Sequence, residues 1–307
     1  MNMKTTENKT LLETIITKLP TTLADHPTSK PQYLMVKELV QNEIKRLFSQ
    51  NSSGRIDFSP FGELVFPYFE MGAINSLDLF GLDELIIFSF YWANRAQYKK
   101  VLDIGGNIGL HSIIMDKCGY VVDAYEPDPV HFEKLEENLQ VNNCKNVTTH
   151  QAAISTQEGQ AEFVRVLGNT TSSHLKGSKN PYGELETFTV DLFDLRKLMK
   201  SADFMKMDVE GHEKALILGT SYEDWENIDA MIEIGTEENA IAIFNHLEKI
   251  NVNAFSQKKG WDKVLELSEV PTSHRDGSIF ITTKECMPWG SSNETETKAD
   301  SELVFNK

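Results

Sequence analysis

The stretch Lys99-Lys100-Val101-Leu102-Asp103-Ile104-Gly105-Gly106-Asn107-Ile108-Gly109 decides the fold. An apolar run carries a carboxylate, Asp103, near its end and passes at once into a glycine-rich turn. Leu110, Ile113 and Ile114 then follow at helical spacing, so the order reads as buried strand, tight turn and helix, the first half of a βαβ unit. Glycines at 105, 106 and 109 permit positive φ and let backbone N–H groups approach a ligand closely. The positive end of the helix dipole points into the same space.

This turn suits neither a dinucleotide nor a nucleoside triphosphate. A G-x-G-x-x-G pattern begun at Gly105 needs glycine where Asn107 and Leu110 stand, and no Gly-Lys-Ser/Thr closes a Walker loop. An acid at the strand end repels a pyrophosphate but suits an ammonium or a sulfonium. The second half of the unit agrees: Tyr120 to Tyr125 is β-branched and aromatic and ends on Glu126, placed to accept both hydroxyls of an adenosine ribose. Together these features favour S-adenosyl-L-methionine over a nicotinamide as cofactor.

Composition sets the bounds. The 307 residues, 40% hydrophobic, suit one large α/β domain with an appendage. A formal charge of −16, from 46 acids against 30 bases, disfavours nucleic acid and anionic membrane surfaces as partners. Cys118, Cys144 and Cys286 are too few and too scattered for a disulfide framework or a zinc cluster, and they fit free thiols in a reducing compartment. No signal-peptide pattern opens the chain, and its longest apolar run falls far short of the ~20 residues that cross a bilayer. The expectation is a cytoplasmic protein without membrane insertion.

Along the chain, residues 1–95 read as a helical and hairpin extension. Leu11, Leu12, Ile15, Ile16 and Leu19 share one helical face, and Val36, Leu39, Val40, Ile44, Leu47 and Phe48 mark a second helix. Residues 55–69 read as a hairpin and 83–92 as an apolar helix. Cap, substrate element, homodimer element and scaffold all remain open as its role. Residues 96–286 form the main domain, and 287–307 read as a disordered tail. Asp128 and Pro129 begin a helix as N-cap and first residue. Residues 146–150 read as a third strand ending at Gln151-Ala152-Ala153-Ile154, where Ala152 and Ala153 leave room for an adenine ring. The polar insertion at 168–183 reads as an acceptor-side loop. Its Asn180-Pro181-Tyr182 lacks the second proline of the Asn-Pro-Pro-Tyr found in amino-methylating enzymes and reads as a turn.

The other informative stretch is Asp203-Phe204-Met205-Lys206-Met207-Asp208-Val209-Glu210-Gly211-His212-Glu213. Lys206, Asp208 and Glu210 alternate, so in a strand they share one side. Three charges on an apolar strand are costly unless paired or used. Glu233 adds an acid from a neighbouring strand, and strands near 263–267 and 278–283 complete the sheet.

At these two stretches the chain resembles the FkbM-like S-adenosylmethionine-dependent methyltransferases. The resemblance rests on Asp103 to Gly109, Tyr125-Glu126-Pro127-Asp128, Ser172-Ser173-His174-Leu175, Thr189-Val190-Asp191-Leu192 and, most specifically, Lys206 to Glu213. It spans roughly 99–283, and Gly106 replaces the alanine usual there. The resemblance implies a Rossmann-like class I methyltransferase fold, a mostly parallel twisted α/β sheet with helices on both faces. It implies O-methylation of a sugar or natural-product hydroxyl.

In that reading Gly105, Gly106, Asn107 and Gly109 give backbone contacts to the cofactor, Asp103 takes its ammonium, and Glu126 with Pro127 holds the ribose. Asp208 sits nearest the transferring methyl, with Glu210 as base or orienting group, and Lys206 keeps both in place. His174 and His212 are alternative bases. No ligand spacing requires a metal. The competing readings are a non-catalytic S-adenosylmethionine-binding protein and a nicotinamide-dependent oxidoreductase.

Overall fold

The computed structural model describes residues 9–49, 53–178 and 183–289. The turn read at Asn180-Pro181-Tyr182 and residues 290–307 of the expected tail lie outside these; residues 287–289, read as part of a disordered tail, are instead packed, with Met287 buried and Trp289 against Phe90 at 5.3 Å. The extension opens with α1 (Leu11–Lys18), whose N-cap Thr10 accepts from the Glu13 N–H at 3.1 Å. Then come α2 (Pro31–Ser49), the antiparallel pair β1 (Arg55–Asp57) and β2 (Glu63–Val65), and α3 (Leu82–Ala93). Helix α3 is apolar on nearly every side, as a helix buried on all sides must be.

The main unit continues as β3 (Lys100–Ile104), α4 (Leu110–Lys117), β4 (Val121–Tyr125), α5 (Pro129–Val141) and β5 (Val147–His150). Next come β6 (Ala152–Ser155), β7 (Gly159–Val166), β8 (His174–Leu175), β9 (Leu185–Asp194), α6 (Leu195–Met199) and β10 (Phe204–Met207). The chain then forms α7 (Glu213–Leu218), β11 (Asp229–Glu233), α8 (Glu237–Lys249), β12 (Asn253–Ser256), β13 (Asp262–Lys263) and β14 (Ser278–Thr282). The expected N-cap of α5 is present, Asp128 accepting from the Val130 and His131 N–H groups.

Eight strands form one sheet in the order β13-β12-β14-β11-β10-β3-β4-β5. Strands β5, β4, β3, β10 and β11 run parallel, and β14 lies antiparallel between β11 and β12. The chain leaves β3 toward β4 on one side and returns to β10 on the other. The carboxyl ends of β3 and β10 are therefore the switch point where open α/β sheets bind ligands. This is the Rossmann-like class I arrangement expected, and α3 joins it directly. Phe90 packs on Phe204 at 5.6 Å and on Phe280 at 5.4 Å, so residues on both sides of position 95 share one apolar core.

Three local readings change. The strand expected near 263–267 is only the two-residue β13 at Asp262–Lys263, and the longer strand is β12, whose polar ends at Asn253 and Ser256 hide its alternation. The expected single strand across 146–154 is two. After Gln151 the chain leaves the main sheet, and β6 pairs with β9 in a separate four-stranded sheet, β6-β9-β7-β8. The alternation from Lys206 to Glu210 also breaks. The strand stops at Met207, and Glu210 takes φ +53° in the following turn, so the three charges do not share one strand face.

Candidate active site

The glycine turn closes over the end of β10. Gly105 has φ +80°, and a Cβ built there would fall 1.8 Å from the Asp208 carbonyl oxygen. Glycine is the residue that permits both the conformation and the contact. The Asp208 N–H in turn donates to the Ile104 carbonyl at 3.0 Å, locking the two strand ends together. The turn's own N–H groups are mostly spent inside the protein. Those of Gly105 and Gly106 donate to the Tyr125 carbonyl, that of Gly109 to the Gly106 carbonyl, and that of Asn107 to Glu126 at 2.8 Å.

A cleft opens beside this turn. It encloses roughly 670 Å³ with its open mouth included. Gly105, Asn107, Glu126, Pro127, Ala152 and Ala153 line it, together with Asp208, Glu210 and His212. Glu126 is buried, and its two carboxylate oxygens accept the Asn107 and Asp128 N–H groups at 2.8 Å each. Burial pushes Glu126 up to about 8, although those two N–H groups pull the other way. Asn107 keeps its buried Oδ1 without a hydrogen-bond partner among the described residues. A carboxylate and a spare amide oxygen beside an apolar pocket fit the hydroxyls, the ammonium and the flat base of an adenosyl amino acid.

Several of the residues read from sequence sit elsewhere. Asp103 lies wholly buried beneath the turn, where Oδ2 accepts from the Ser112 hydroxyl at 2.5 Å. Gly106 and Gly109 face Leu135 of α5, so their smallness serves packing between α4 and α5. Lys206 turns away from the cofactor cleft. His174 is buried on β8 with Nδ1 against the Ser172 carbonyl. His212 does line the cleft, but it is engaged between Ser178 and Ser155, and burial lowers its pKa.

The polar insertion borders the cofactor side, because Thr170, Thr171 and Ser173 line the first cleft. There His131 Nε2 meets Thr170 Oγ1 at 2.8 Å, and Phe163 and Leu175 supply apolar wall. The insertion was expected on the acceptor side and lines the cofactor cleft instead; His131 and Phe163 had no role in the sequence reading, and His131 carried only the weak signal of lying one helical turn after the cap Asp128. The sequence reading also missed Glu213, whose Oε1 accepts the Val209 and Gly211 N–H groups at 3.0 and 3.1 Å and so ties down the turn that carries Glu210.

On the other side of the β10 end lies a second cleft of roughly 870 Å³, again counting its mouth. Lys206, Met207, Met231 and Glu233 floor it, while Lys37 and Gln41 of α2 and residues 81–84 and 87 at the start of α3 wall it. Lys206 Nζ stands 3.6 Å from Asp208 Oδ2, which connects the two clefts through one ion pair. Burial lowers Lys206, but the surrounding carboxylates, Asp208 foremost, outweigh burial and hold it above its ordinary value. Burial raises Glu233, and its hydrogen bond with His274, 2.9 Å long, raises the histidine. Among the described residues no group of three or more His, Cys, Asp or Glu is placed to hold a metal ion. No described helix is long and apolar enough to cross a membrane.

Comparison with known proteins identifies the family. A model of the methyltransferase FkbM domain matches residues 103–265. Methyltransferase 1 of Beauveria bassiana (strain ARSEF 2860) is 27% identical over 157 residues, which cover 43% of this chain and 62% of the relative. The chain thus matches about three-fifths of that relative's length. Methyltransferase sdnD of Sordaria araneosa is 24% identical over 212 residues, 58% of this chain and 79% of the relative. Among solved structures, the precorrin-6y C5,15-methyltransferase of Geobacter metallireducens GS-15 is 14% identical and aligns over 62% of this chain and 82% of its own, with a TM-score of 0.33. The family match spans more than half of the chain and begins at the acid of the glycine turn. The chain therefore belongs to the FkbM methyltransferase family, whose cofactor is S-adenosyl-L-methionine.

Proposed function

We propose that the protein transfers a methyl group from S-adenosyl-L-methionine to a hydroxyl of a sugar or other natural-product acceptor. The observation that carries this reading is the position of Asp208. It lines the cofactor cleft against the glycine turn, and its carboxylate is fixed by Lys206 from the neighbouring cleft. Glu126 would hold the ribose hydroxyls, Asn107 the ammonium, and the apolar wall of Ala152, Ala153, Phe163 and Leu175 the adenine.

When bound, S-adenosyl-L-methionine would supply an electrophilic methyl and a neutral thioether as its leaving group. The protein's own share is placement and proton handling. Asp208 accepts the hydroxyl proton, Lys206 fixes that carboxylate, and Glu210 orients the acceptor from the turn beyond. The Glu213 carboxylate keeps the turn closed. Free Cys118, Cys144 and Cys286 and the net charge of −16 support a cytoplasmic setting and a small-molecule rather than polyanionic partner.

Calorimetric titration with S-adenosylhomocysteine and, separately, NADH tests the cofactor half, with micromolar binding of the first and silence from the second expected. Mass spectrometry of a broad hydroxyl panel incubated with S-adenosylmethionine tests the rest. Methylated products carrying a new O–CH₃ are expected. Cofactor binding with no methylated hydroxyl anywhere in the panel would overturn O-methylation and favour a non-catalytic binder.

A further inference from the structure

We propose that the second cleft is the acceptor site and that helices α2 and α3 wall it for a hydroxyl-rich small molecule that carries no anionic group. The inference rests on the methyltransferase reading above and adds where the acceptor sits and what charge it carries. Its first support is position: the cleft shares the β10 end with the cofactor cleft, Met207 belonging to one and Asp208 to the other.

The second support is the charge built into the walls. Lys37, Lys206 and His274 face Asp78, Asp83, Glu84 and Glu233, and Asp208 stands against Lys206. Carboxylates outnumber cations, and nearly all are already fixed. Glu233 is held by His274, Glu84 meets His111 Nε2 at 2.8 Å, and Asp83 accepts from the Tyr33 hydroxyl and the Gln257 amide at 2.6 Å each. Asp78 accepts the Asn75 N–H at 2.8 Å. A phosphate or carboxylate entering this cleft would shed its hydration and meet an excess of negative charge. Neutral hydroxyls would instead find prepositioned acceptors, since each fixed carboxylate retains unused lone pairs.

The third support is where the wall comes from. Lys37, Gln41, Asp78 and residues 81–87 all precede the stretch matched by the family, and His274 follows it. The residues lining the cofactor cleft all lie inside that stretch. The extension therefore supplies acceptor recognition to a shared methyl-transfer core.

The test uses the full chain loaded with S-adenosylhomocysteine and labelled with ¹³C-methyl methionine, so that Met207 and Met231 report occupancy of the second cleft. Four hexose probes of graded charge are titrated: methyl glucoside, glucosamine, glucuronate and glucose 6-phosphate. Methyl glucoside is expected to shift both methyl signals, with the two anionic hexoses binding at least ~10-fold more weakly, a gap of about 1.4 kcal/mol. Gln41→Trp, at an exposed position on α2, should block the shifts while S-adenosylhomocysteine affinity stays within ~2-fold. Glu84→Gln, as a second variant, should narrow the gap between neutral and anionic probes.

Equal or stronger shifts from the anionic hexoses would overturn the proposal, as would shifts that survive Gln41→Trp, or silence from all four. In each of those cases retained S-adenosylhomocysteine binding leaves the methyltransferase reading standing. Loss of that binding in the wild type would instead mark the failure of the reading beneath it.

Discussion

The two clefts that meet at the end of β10 are built from different materials. The cofactor cleft is made by backbone: a glycine at φ +80° pressed on Asp208, a buried glutamate bonded to two N–H groups, and alanines at a strand start. The second cleft is made by side chains, charged and individually fixed, half of them contributed by the extension. Backbone geometry of this kind tolerates few residues, so one side of the molecule is closely constrained. Side-chain walls can change one at a time, so the other side is free to specialise.

The sharpest way to break this contrast is Gly105→Ala. The new Cβ would overlap the Asp208 carbonyl, and the φ of +80° adds strain of its own, ~1–3 kcal/mol before the clash is counted. We expect S-adenosylhomocysteine binding to be abolished and the melting temperature to fall by several degrees. Calorimetry and thermal unfolding check both, and a variant that still binds the cofactor would show that the turn is not rigid.

Glu126→Ala comes next. Removing a buried carboxylate from a hydrogen-bonded network costs about 2–3 kcal/mol, so cofactor affinity should fall ~30–150-fold. The pH dependence sharpens this. Burial raises Glu126 to about 8, so the folded protein keeps a proton there that the unfolded chain has lost. Its burial therefore opposes folding increasingly as pH rises from the ordinary glutamate range to about 8, and no further above that. Ribose hydroxyls donate to the ionised form, so S-adenosylhomocysteine affinity should climb as pH rises through about 8. Titrations across that range with Glu126→Gln should show no such climb.

Lys206→Met separates the two clefts. The lysine faces the acceptor side yet pairs with Asp208, so its loss should lower turnover ~10–100-fold while cofactor affinity changes less than ~3-fold. Steady-state kinetics beside calorimetry reads that split. A matching loss in cofactor binding would erase the division of labour.

The same contrast explains what the sequence disclosed. The turn at 103–109 and the acid at 126 were legible because a glycine turn, a strand end and a following helix are local events, written within a few residues. The helices of the extension were legible by periodicity for the same reason. The second cleft was not, because Lys37, Glu84, Glu233 and His274 are far apart in the chain and are gathered only by packing of α2 and α3 on the sheet. The breaks after His150 and Met207 were also hidden. Whether a chain stays in a sheet or turns out of it is decided by its neighbours, and the alternation of Lys206, Asp208 and Glu210 continues on paper past the point where the strand stops.

The smallest expected effect belongs to the residue next to the most sensitive one. Gly106 shares the turn with Gly105, but its φ lies outside the left-handed region and its added Cβ would meet the end of the Leu135 side chain at 2.9 Å rather than backbone. A leucine methyl can swing aside at small cost, and alanine narrows the freedom of the unfolded chain by ~0.4–1 kcal/mol. The two terms nearly cancel. Gly106→Ala should therefore leave stability within about 1 kcal/mol of wild type and cofactor affinity within ~2-fold, measured beside Gly105→Ala under the same conditions. Equal damage from the two would mean that the whole turn is intolerant of side chains. Damage confined to Gly105 would place the constraint at the single contact with Asp208, where the cofactor cleft joins the acceptor side.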